Sequence, residues 1–207
     1  MGPPLVTLDL SEPFWERFFT VAPLVLVGTR EPDGGHDLAP KHLCTPLSWE
    51  GWFGFVCAPT HRTWVNARRT GAFTVSFVGP EQIVAASLAA GPRYRAAGGG
   101  GPTPSDDKPS LAAIPVIPAE VVDGVLVEGC GLYLECALDR VIDGFGPNGL
   151  IVGRVVAVHV HQDVLRAADR DDGELIARHP LLVYAHPDRF GALATTHAFP
   201  YPLGFRR

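Results

Sequence analysis

Three short apolar runs in the N-terminal part of the chain most strongly limit the folds open to it. They span residues 24–30, 51–59 and 72–78 and are rich in valine and phenylalanine. Apolar runs of this length, bounded by glycine and proline, are typical of buried strands. Residues 31–35 (EPDGG) are turn formers, so we expect the first run to form a hairpin with residues 36–47. The sequence therefore predicts an antiparallel sheet here.

The strand pattern continues in the second half of the chain. It covers residues 121–127, 131–142 and 150–161, and a glycine-rich turn containing Pro147 and Asn148 separates the last two. Many short strands and few helices are typical of barrels. We therefore predict a mainly β fold, an antiparallel closed or split β-barrel with a few peripheral helices.

The chain shows no internal repeat and no clear boundary in composition. Residues 1–207 are therefore predicted to form a single domain, with a core at 20–190 and an aromatic, proline-rich tail at 191–207.

Three helices and one long loop complete the predicted layout. We expect helices at residues 11–20, 61–70 and 80–90, the second of them ended by Gly71. Residues 91–110 contain four consecutive glycines and form a long loop, of a kind that is usually functional or mobile. Two alternatives stay open for this loop. Either the arginines at its start control the access of a substrate to the site, or it is an ordinary surface loop.

Composition and charge limit the kinds of binding partner and the cellular compartment that we expect. The net charge is −5 and the sequence pI is about 5.9, which argues against nucleic acid or an anionic membrane as the main partner. No apolar window has the length of a membrane span, and no secretory signal is visible, so we expect a cytoplasmic protein. The four cysteines form no CxxC pair, so we predict reduced thiols and no metal site.

The polar segment THRTWVNARRTG, residues 60–71, is the strongest chemical signal. It places Arg62, Thr63 and Asn66 at the start of a helix that directly follows a strand. Free N–H groups at a helix start, together with an arginine, form a ready site for an anion, most often phosphate. Lys41 is a candidate second cation. The alternative is a capped helix whose polar residues are only solvated.

Other reactive residues give weaker signals. His42 and Cys44 would share a strand face, but no third group orients them, so we predict no side-chain nucleophile. His159 and His161 also share a face and are expected at a dimer contact or in solvent rather than on a metal. Glu135 is expected to face outward or to be paired, and not to act as an acid catalyst.

The order of these segments resembles the flavin reductase-like family, whose members fold as an FMN-binding split barrel. The resemblance covers residues 20–190 and includes the strand and turn PLVLVGT…DGG, the segment HDLAPKHLCTPLS, the stretch DDKPSLAAI and the closing strand GLIVGRVVAVHV. The family signature T-x-x-N-x-x-x-(S/T)-G-x-F-x-V and its L-E-C triplet are matched by these residues: Thr63, Asn66, Thr70, Gly71, Phe73, Val75, Leu134, Glu135 and Cys136.

The resemblance implies an FMN-dependent flavoprotein oxidoreductase in which NADH or NADPH passes a hydride to the flavin and a small acceptor takes the electrons. The flavin ring would carry the chemistry, so no catalytic side chain is implied. It also implies a homodimer and a monooxygenase as a candidate partner. The residues implied to bind FMN are Lys41, His42, Leu43, Cys44, Thr45, Ala58, Pro59, Thr60, Arg62, Thr63 and Asn66.

Three departures from the family pattern keep other functions open. The turn before the closing strand has Asn148 or Gly149 where a histidine is common, Phe190 stands where a tyrosine is expected, and Pro109 replaces an aromatic residue. These changes leave FMN binding intact but weaken the prediction of fast nicotinamide oxidation. The alternatives are a non-catalytic FMN-binding or electron-storage protein that needs a partner, and a haem-binding split-barrel protein.

Overall fold

A computed structural model of the chain describes residues 3–95 and 103–205, and most of its regular structure is strand. Within these two ranges, three α-helices lie among the strands: α1 (Arg62–Thr70), α2 (Ile83–Ala89) and α3 (Asp172–Arg178). The strands are β1 (Thr20–Pro23), β2 (Val25–Arg30), β3 (His36–Lys41), β4 (Cys44–Ser48), β5 (Trp52–Cys57), β6 (Ala72–Phe77), β7 (Tyr94–Arg95), β8 (Thr103–Pro104), β9 (Val116–Pro118), β10 (Val125–Val127), β11 (Leu132–Phe145), β12 (Asn148–Val160), β13 (Leu181–His186) and β14 (Arg189–Leu193).

A seven-stranded antiparallel sheet forms the body of the molecule. Its strand order is β3-β2-β6-β11-β12-β5-β4, so the two edge strands, β3 and β4, are consecutive in sequence. Only His42 and Leu43 join them, which requires the sheet to curl until its edges meet at this corner. The N–H of Val56 donates to the carbonyl of Leu43 at 2.8 Å and fixes that link on β5. The predicted mainly β, split-barrel class is confirmed.

Strand β2, which lies next to the edge strand β3, separates two hydrophobic cores and is buried on both faces. Val25 and Val27 pack inside the curled sheet, in a cluster that includes Phe55 and Phe73. On the opposite face, Leu26 packs in a second cluster that includes residues of α2. Burial on both faces explains why β2 reads as a continuous apolar run in the sequence.

Helix α1 follows β5 and packs against β2, β3 and β6. Trp64 and Ala67 are buried against the inner core. Gly71 ends the helix with a φ of 71°, and its N–H donates to the carbonyl of Ala67 at 2.9 Å, which confirms the predicted stop. At Gly149 on β12, a Cβ would lie 2.5 Å from Trp64 Cη2, so glycine lets the helix approach the sheet closely.

Smaller sheets accompany the seven-stranded sheet. Strands β1, β13 and β14 form a three-stranded sheet, β9 pairs with β10, and β7 pairs with β8. Short 3-10 helices occur at Trp15–Arg17, Pro80–Gln82, Pro109–Ala113 and Gln162–Val164. The glycines of the long loop, residues 98–101, lie outside the described residues. None of the described helices is long and apolar enough to cross a membrane.

Two element predictions are wrong. The helix expected at residues 11–20 is reduced to the single 3-10 turn Trp15–Arg17, because its aromatic face finds no core and Trp15 and Phe19 stay exposed. The single strand expected at residues 121–127 is a bend followed by β10, and β9 precedes it. Glu135 causes this break, because its carboxylate binds the backbone N–H groups of residues 120–122.

Candidate functional site

Two of the predicted site segments meet at one corner of the sheet. Lys41 ends β3 and Cys57 ends β5, and the Lys41 Nζ atom lies 3.5 Å from Cys57 Sγ. The turn after β5 is closed by a bond from the N–H of His61 to the carbonyl of Ala58, at 3.0 Å, and leads directly into α1. Residues 41–45 and 58–66 are therefore neighbours in space.

The start of α1 offers unpaired backbone donors. The first bonds of the helix run from the N–H groups of Trp64 and Val65 to the carbonyl of His61. The N–H groups of Arg62 and Thr63 precede this first bonded turn, and no side chain caps them. Together with the helix dipole, they make this end of the helix electropositive.

Charged side chains from distant parts of the sequence gather beside this helix start. Arg93 Nη2 lies 2.8 Å from Glu31 Oε1 and 2.8 Å from Asp37 Oδ1. Arg62 Nε lies 3.6 Å from Glu31 Oε2, and its Nη2 atom bonds to Asp106. The result is a network in which carboxylates hold two guanidinium groups in place.

Lys108 completes the cationic group from the loop side. Its ammonium donates to the carbonyl of Leu38 at 2.7 Å and lies 3.4 Å from Asp37 Oδ1. Burial lowers the pKa of Lys108, and the nearby charges of Arg93 and Lys41 lower it further, against the opposing effect of Asp37. Arg62, Arg93 and Lys108 therefore lie close together among carboxylates that partly neutralise their charge.

A cavity of about 510 Å³ opens beside these charges. The turn between β2 and β3 forms one wall, and the segment that follows the long loop forms another. The charged and imidazole groups that line the cavity are Glu31, Asp33, His36, Arg62, Arg93, Asp106, Asp107 and Lys108.

Thr63 and Asn66 are buried and face the sheet. Thr63 Oγ1 donates to Asp37 Oδ2 at 3.4 Å, and Asn66 Nδ2 donates to Thr29 Oγ1 at 3.3 Å. The Asn66 Oδ1 atom is buried without a hydrogen-bond partner. Both side chains fasten α1 to β2 and β3, and their direct contact with a ligand stays a prediction.

The remaining residues that were predicted to bind FMN lie at the exposed link between β3 and β4 and at the turn before α1. Leu43 is 56% exposed, and Thr45, Pro59 and Thr60 are exposed as well. Cys44 is buried, and burial raises the pKa of its thiol to about 12. The thiol therefore stays protonated near neutral pH, which is consistent with the prediction of no thiol nucleophile.

An aromatic group that the sequence did not reveal stands beside His42. The His42 ring lies 4.7 Å from the Tyr184 ring and 5.7 Å from the His186 ring, measured between centroids. Burial lowers the pKa of His42, and the charges of His186 and Lys41 lower it further. Phe190, noted in the sequence as a replacement for tyrosine, pairs with Tyr184 across β13 and β14.

Sequence reasoning also missed the carboxylates that organise the site. Glu31, Asp37 and Asp106 lie in or beside turns and on an edge strand, where no periodicity marks them. The available signal was the arginine at the start of the long loop, which becomes Arg93 in the network. Within the described residues, no group of three or more His, Cys, Asp or Glu side chains is placed to hold a metal ion.

A curled antiparallel half-barrel with peripheral helices places this protein in the split-barrel class. The chain belongs to the flavin reductase-like domain family, whose model matches residues 18–193. No curated protein sequence matches the chain.

Solved structures share the fold at low sequence identity. Nitrilotriacetate monooxygenase component B from Bacillus cereus is 18% identical, covers 96% of this chain and 100% of its own, and has a TM-score of 0.76. The 2-nitrobenzoate 2-nitroreductase of Pseudomonas fluorescens is 14% identical, with 97% and 95% coverage and a TM-score of 0.74. Flavoredoxin of Desulfovibrio vulgaris is 19% identical, with 97% and 100% coverage and a TM-score of 0.72.

Proposed function

We propose that this protein is an FMN-dependent flavoprotein oxidoreductase that passes a hydride from NADH or NADPH through bound FMN to a small acceptor or free flavin. The observation that carries the proposal is the cationic start of α1, which lies next to the exposed link between β3 and β4. A flavin mononucleotide needs both features, a cationic place for its phosphate and a ring-side surface with polar backbone groups.

The donor set of the site fits the phosphate end of FMN. Arg62 and the N–H groups at the start of α1 would hold the phosphate, with Lys41 as a further cation. Arg93 and Lys108 add positive charge to the cavity beside them. A phosphate monoester carries a charge near −2 at neutral pH, so charge-assisted bonds to these groups would dominate its affinity.

The ring end would lie along residues 43–45 and 58–60, where backbone groups and the exposed Leu43 side chain meet at one corner of the sheet. When bound, FMN supplies a ring that accepts and releases a hydride. The chain itself binds and orients the cofactor and holds it at the sheet corner. The protonated thiols of Cys44 and Cys57 take no proton-transfer role, because burial raises the pKa of both.

A second candidate function is that of a non-catalytic FMN-binding or electron-storage protein that depends on a partner. The turn between β11 and β12 favours it, because Gly146, Pro147 and Asn148 offer no titratable side chain to a nicotinamide. Flavoredoxins are also among the structures that share this fold. A haem-binding split barrel is the weaker alternative, and an absorbance spectrum separates haem from flavin.

We further propose a homodimer, with a monooxygenase component as a candidate partner. Val156, Val158 and Val160 form an exposed apolar stripe on β12, which a second copy of the chain would cover. A cytoplasmic location is part of the same proposal, because all four cysteines are free and buried.

The proposal is tested with purified protein reconstituted with FMN. A flavin spectrum that survives desalting, followed by oxidation of NADH or NADPH that depends on added FMN, is the expected result. Bound flavin without nicotinamide turnover would favour the electron-storage function. A protein that stays colourless and does not quench FMN fluorescence would overturn both.

A further inference from the structure

One carboxylate in the charged network differs from the others in its exposure. Glu31 and Asp37 are almost fully buried, with side-chain exposures of 12% and 3%. Asp106 bonds to Arg62 Nη2 although its own side chain is 87% exposed. Two carboxylates are therefore built into the site, and the third lies against the guanidinium from the solvent side.

The charges at the site make Asp106 a counter-ion that a ligand can replace. Arg62 is paired with two carboxylates, the largely buried Glu31 and the exposed Asp106. Release of Asp106 removes a negative charge from the solvent side of Arg62, and a phosphate dianion can replace that charge. An exposed ion pair is weak enough to be exchanged in this way.

The backbone at Asp106 is held independently of its side chain. Arg93 Nη1 donates to the carbonyl oxygen of Asp106, and the N–H of Tyr94 donates to the carbonyl of Asp107 at 2.8 Å. Rotation of the Asp106 side chain alone would therefore free the Nη2 atom of Arg62, with no change in the path of the chain.

We propose that Asp106 is an internal counter-ion for Arg62 that competes with the FMN phosphate and keeps the bound flavin exchangeable. This inference rests on the proposed function, because it places the phosphate at Arg62. Asp106 swings away when FMN enters and returns to Arg62 when FMN leaves. The flavin is then a ligand that cycles on and off rather than a permanently held group.

The test compares FMN with riboflavin, which has the same ring and no phosphate. In fluorescence titrations at low ionic strength, Asp106→Asn is expected to tighten FMN binding by about twofold to fivefold, the range for one exposed ion pair. The dissociation rate of FMN should fall by a similar factor. Riboflavin affinity should stay unchanged. Asp163→Asn, an exposed carboxylate on the 3-10 helix after β12, is the control for the change in net charge.

The outcomes separate this inference from the proposed function. Equal FMN affinity in the native protein and in Asp106→Asn, with Arg62→Ala still weakening FMN, would overturn the counter-ion role and leave the phosphate site standing. Tighter binding of both flavins would also overturn it, because the effect would not pass through the phosphate. An Arg62→Ala variant that keeps the native preference for FMN over riboflavin would remove the phosphate site itself.

Discussion

The carboxylate of Glu135 on β11 lies 2.7 Å from His159 Nε2 on the neighbouring strand β12, and it is completely buried. It also accepts the backbone N–H groups of Glu120, Val121 and Val122, at 2.9, 2.7 and 2.8 Å. Burial acts to raise the pKa of Glu135, but these N–H donors and His159 outweigh it, so the net pKa is lowered. The carboxylate thus anchors the bend before β10 to the main sheet.

Replacing this carboxylate by an amide is expected to destabilise the fold. In Glu135→Gln, one oxygen becomes an NH₂ group that faces N–H donors, which leaves buried donors unpaired and costs about 2–3 kcal/mol. Urea denaturation at neutral pH measures this loss. Glu128→Gln, at an exposed position, is the matched control and should stay close to the native stability.

The same variant has a defined pH dependence. A carboxylate whose pKa is lowered by folding contributes stability above its unfolded pKa of about 4.3, and loses that contribution as the pH falls through its folded pKa. The stability gap between the native protein and Glu135→Gln should therefore narrow steadily in acid below about pH 4. A gap that widens in acid would contradict the lowered pKa.

Arg62→Ala is expected to weaken FMN binding by about 1–3 kcal/mol, because a charge-assisted contact to the phosphate is lost. Fluorescence titration with FMN measures the change, and riboflavin affinity should be nearly unaffected. Arg68→Ala removes an exposed arginine from the same helix and serves as the control. Unchanged FMN affinity in Arg62→Ala would mean that the phosphate lies elsewhere.

His186→Phe is expected to raise the pKa of His42. The phenylalanine ring keeps the stacking partner but removes the charge that, after burial, depresses this pKa most. The pKa of His42 should move toward the ordinary value of about 6.5, as followed by NMR titration of the imidazole protons. The exposed His161, replaced by Phe, is the control, and its loss should leave the titration of His42 where it was.

Val158→Glu is expected to convert a dimer into a monomer. Val158 is 55% exposed in the middle of the apolar stripe on β12, and a charge there would be buried unpaired in a dimer. Light scattering coupled to gel filtration gives the mass. Val84→Glu, at an exposed site on α2, controls for the added charge and should remain dimeric. A native protein of monomer mass would contradict the dimer proposal from the start.

The barrel strands were predictable because each carries its own signal. Strand β2 is buried on both faces and therefore reads as an unbroken apolar run, and Gly71 marks the end of α1 through a backbone angle that favours glycine. The predicted helix at residues 11–20 failed for the opposite reason. Its aromatic pattern is helical, but tertiary packing offers that face no core, and the local pattern contains no information about the missing partner.

The candidate site was predictable only in part. Arg62, Thr63 and Asn66 could be named as candidates because one helix start holds all three, and the structure places Lys41 against Cys57, the last residue of the strand before this helix. Asp37 and Lys108 were not found, because a pair 71 positions apart leaves no mark in local spacing. The sequence also could not show which of the three side chains faces the sheet. Thr63 and Asn66 are buried against it, and only this burial distinguishes them from Arg62.

The two-residue link between β3 and β4, His42 and Leu43, holds the two edges of the main sheet together. The same segment borders the proposed flavin position. The curvature of the sheet and the binding of the ligand are therefore expected to depend on the same two residues. We expect extra residues inserted between His42 and Leu43 to loosen the connection between the two edge strands, so that the sheet would uncurl and the surface proposed for the flavin ring would be lost with its curvature.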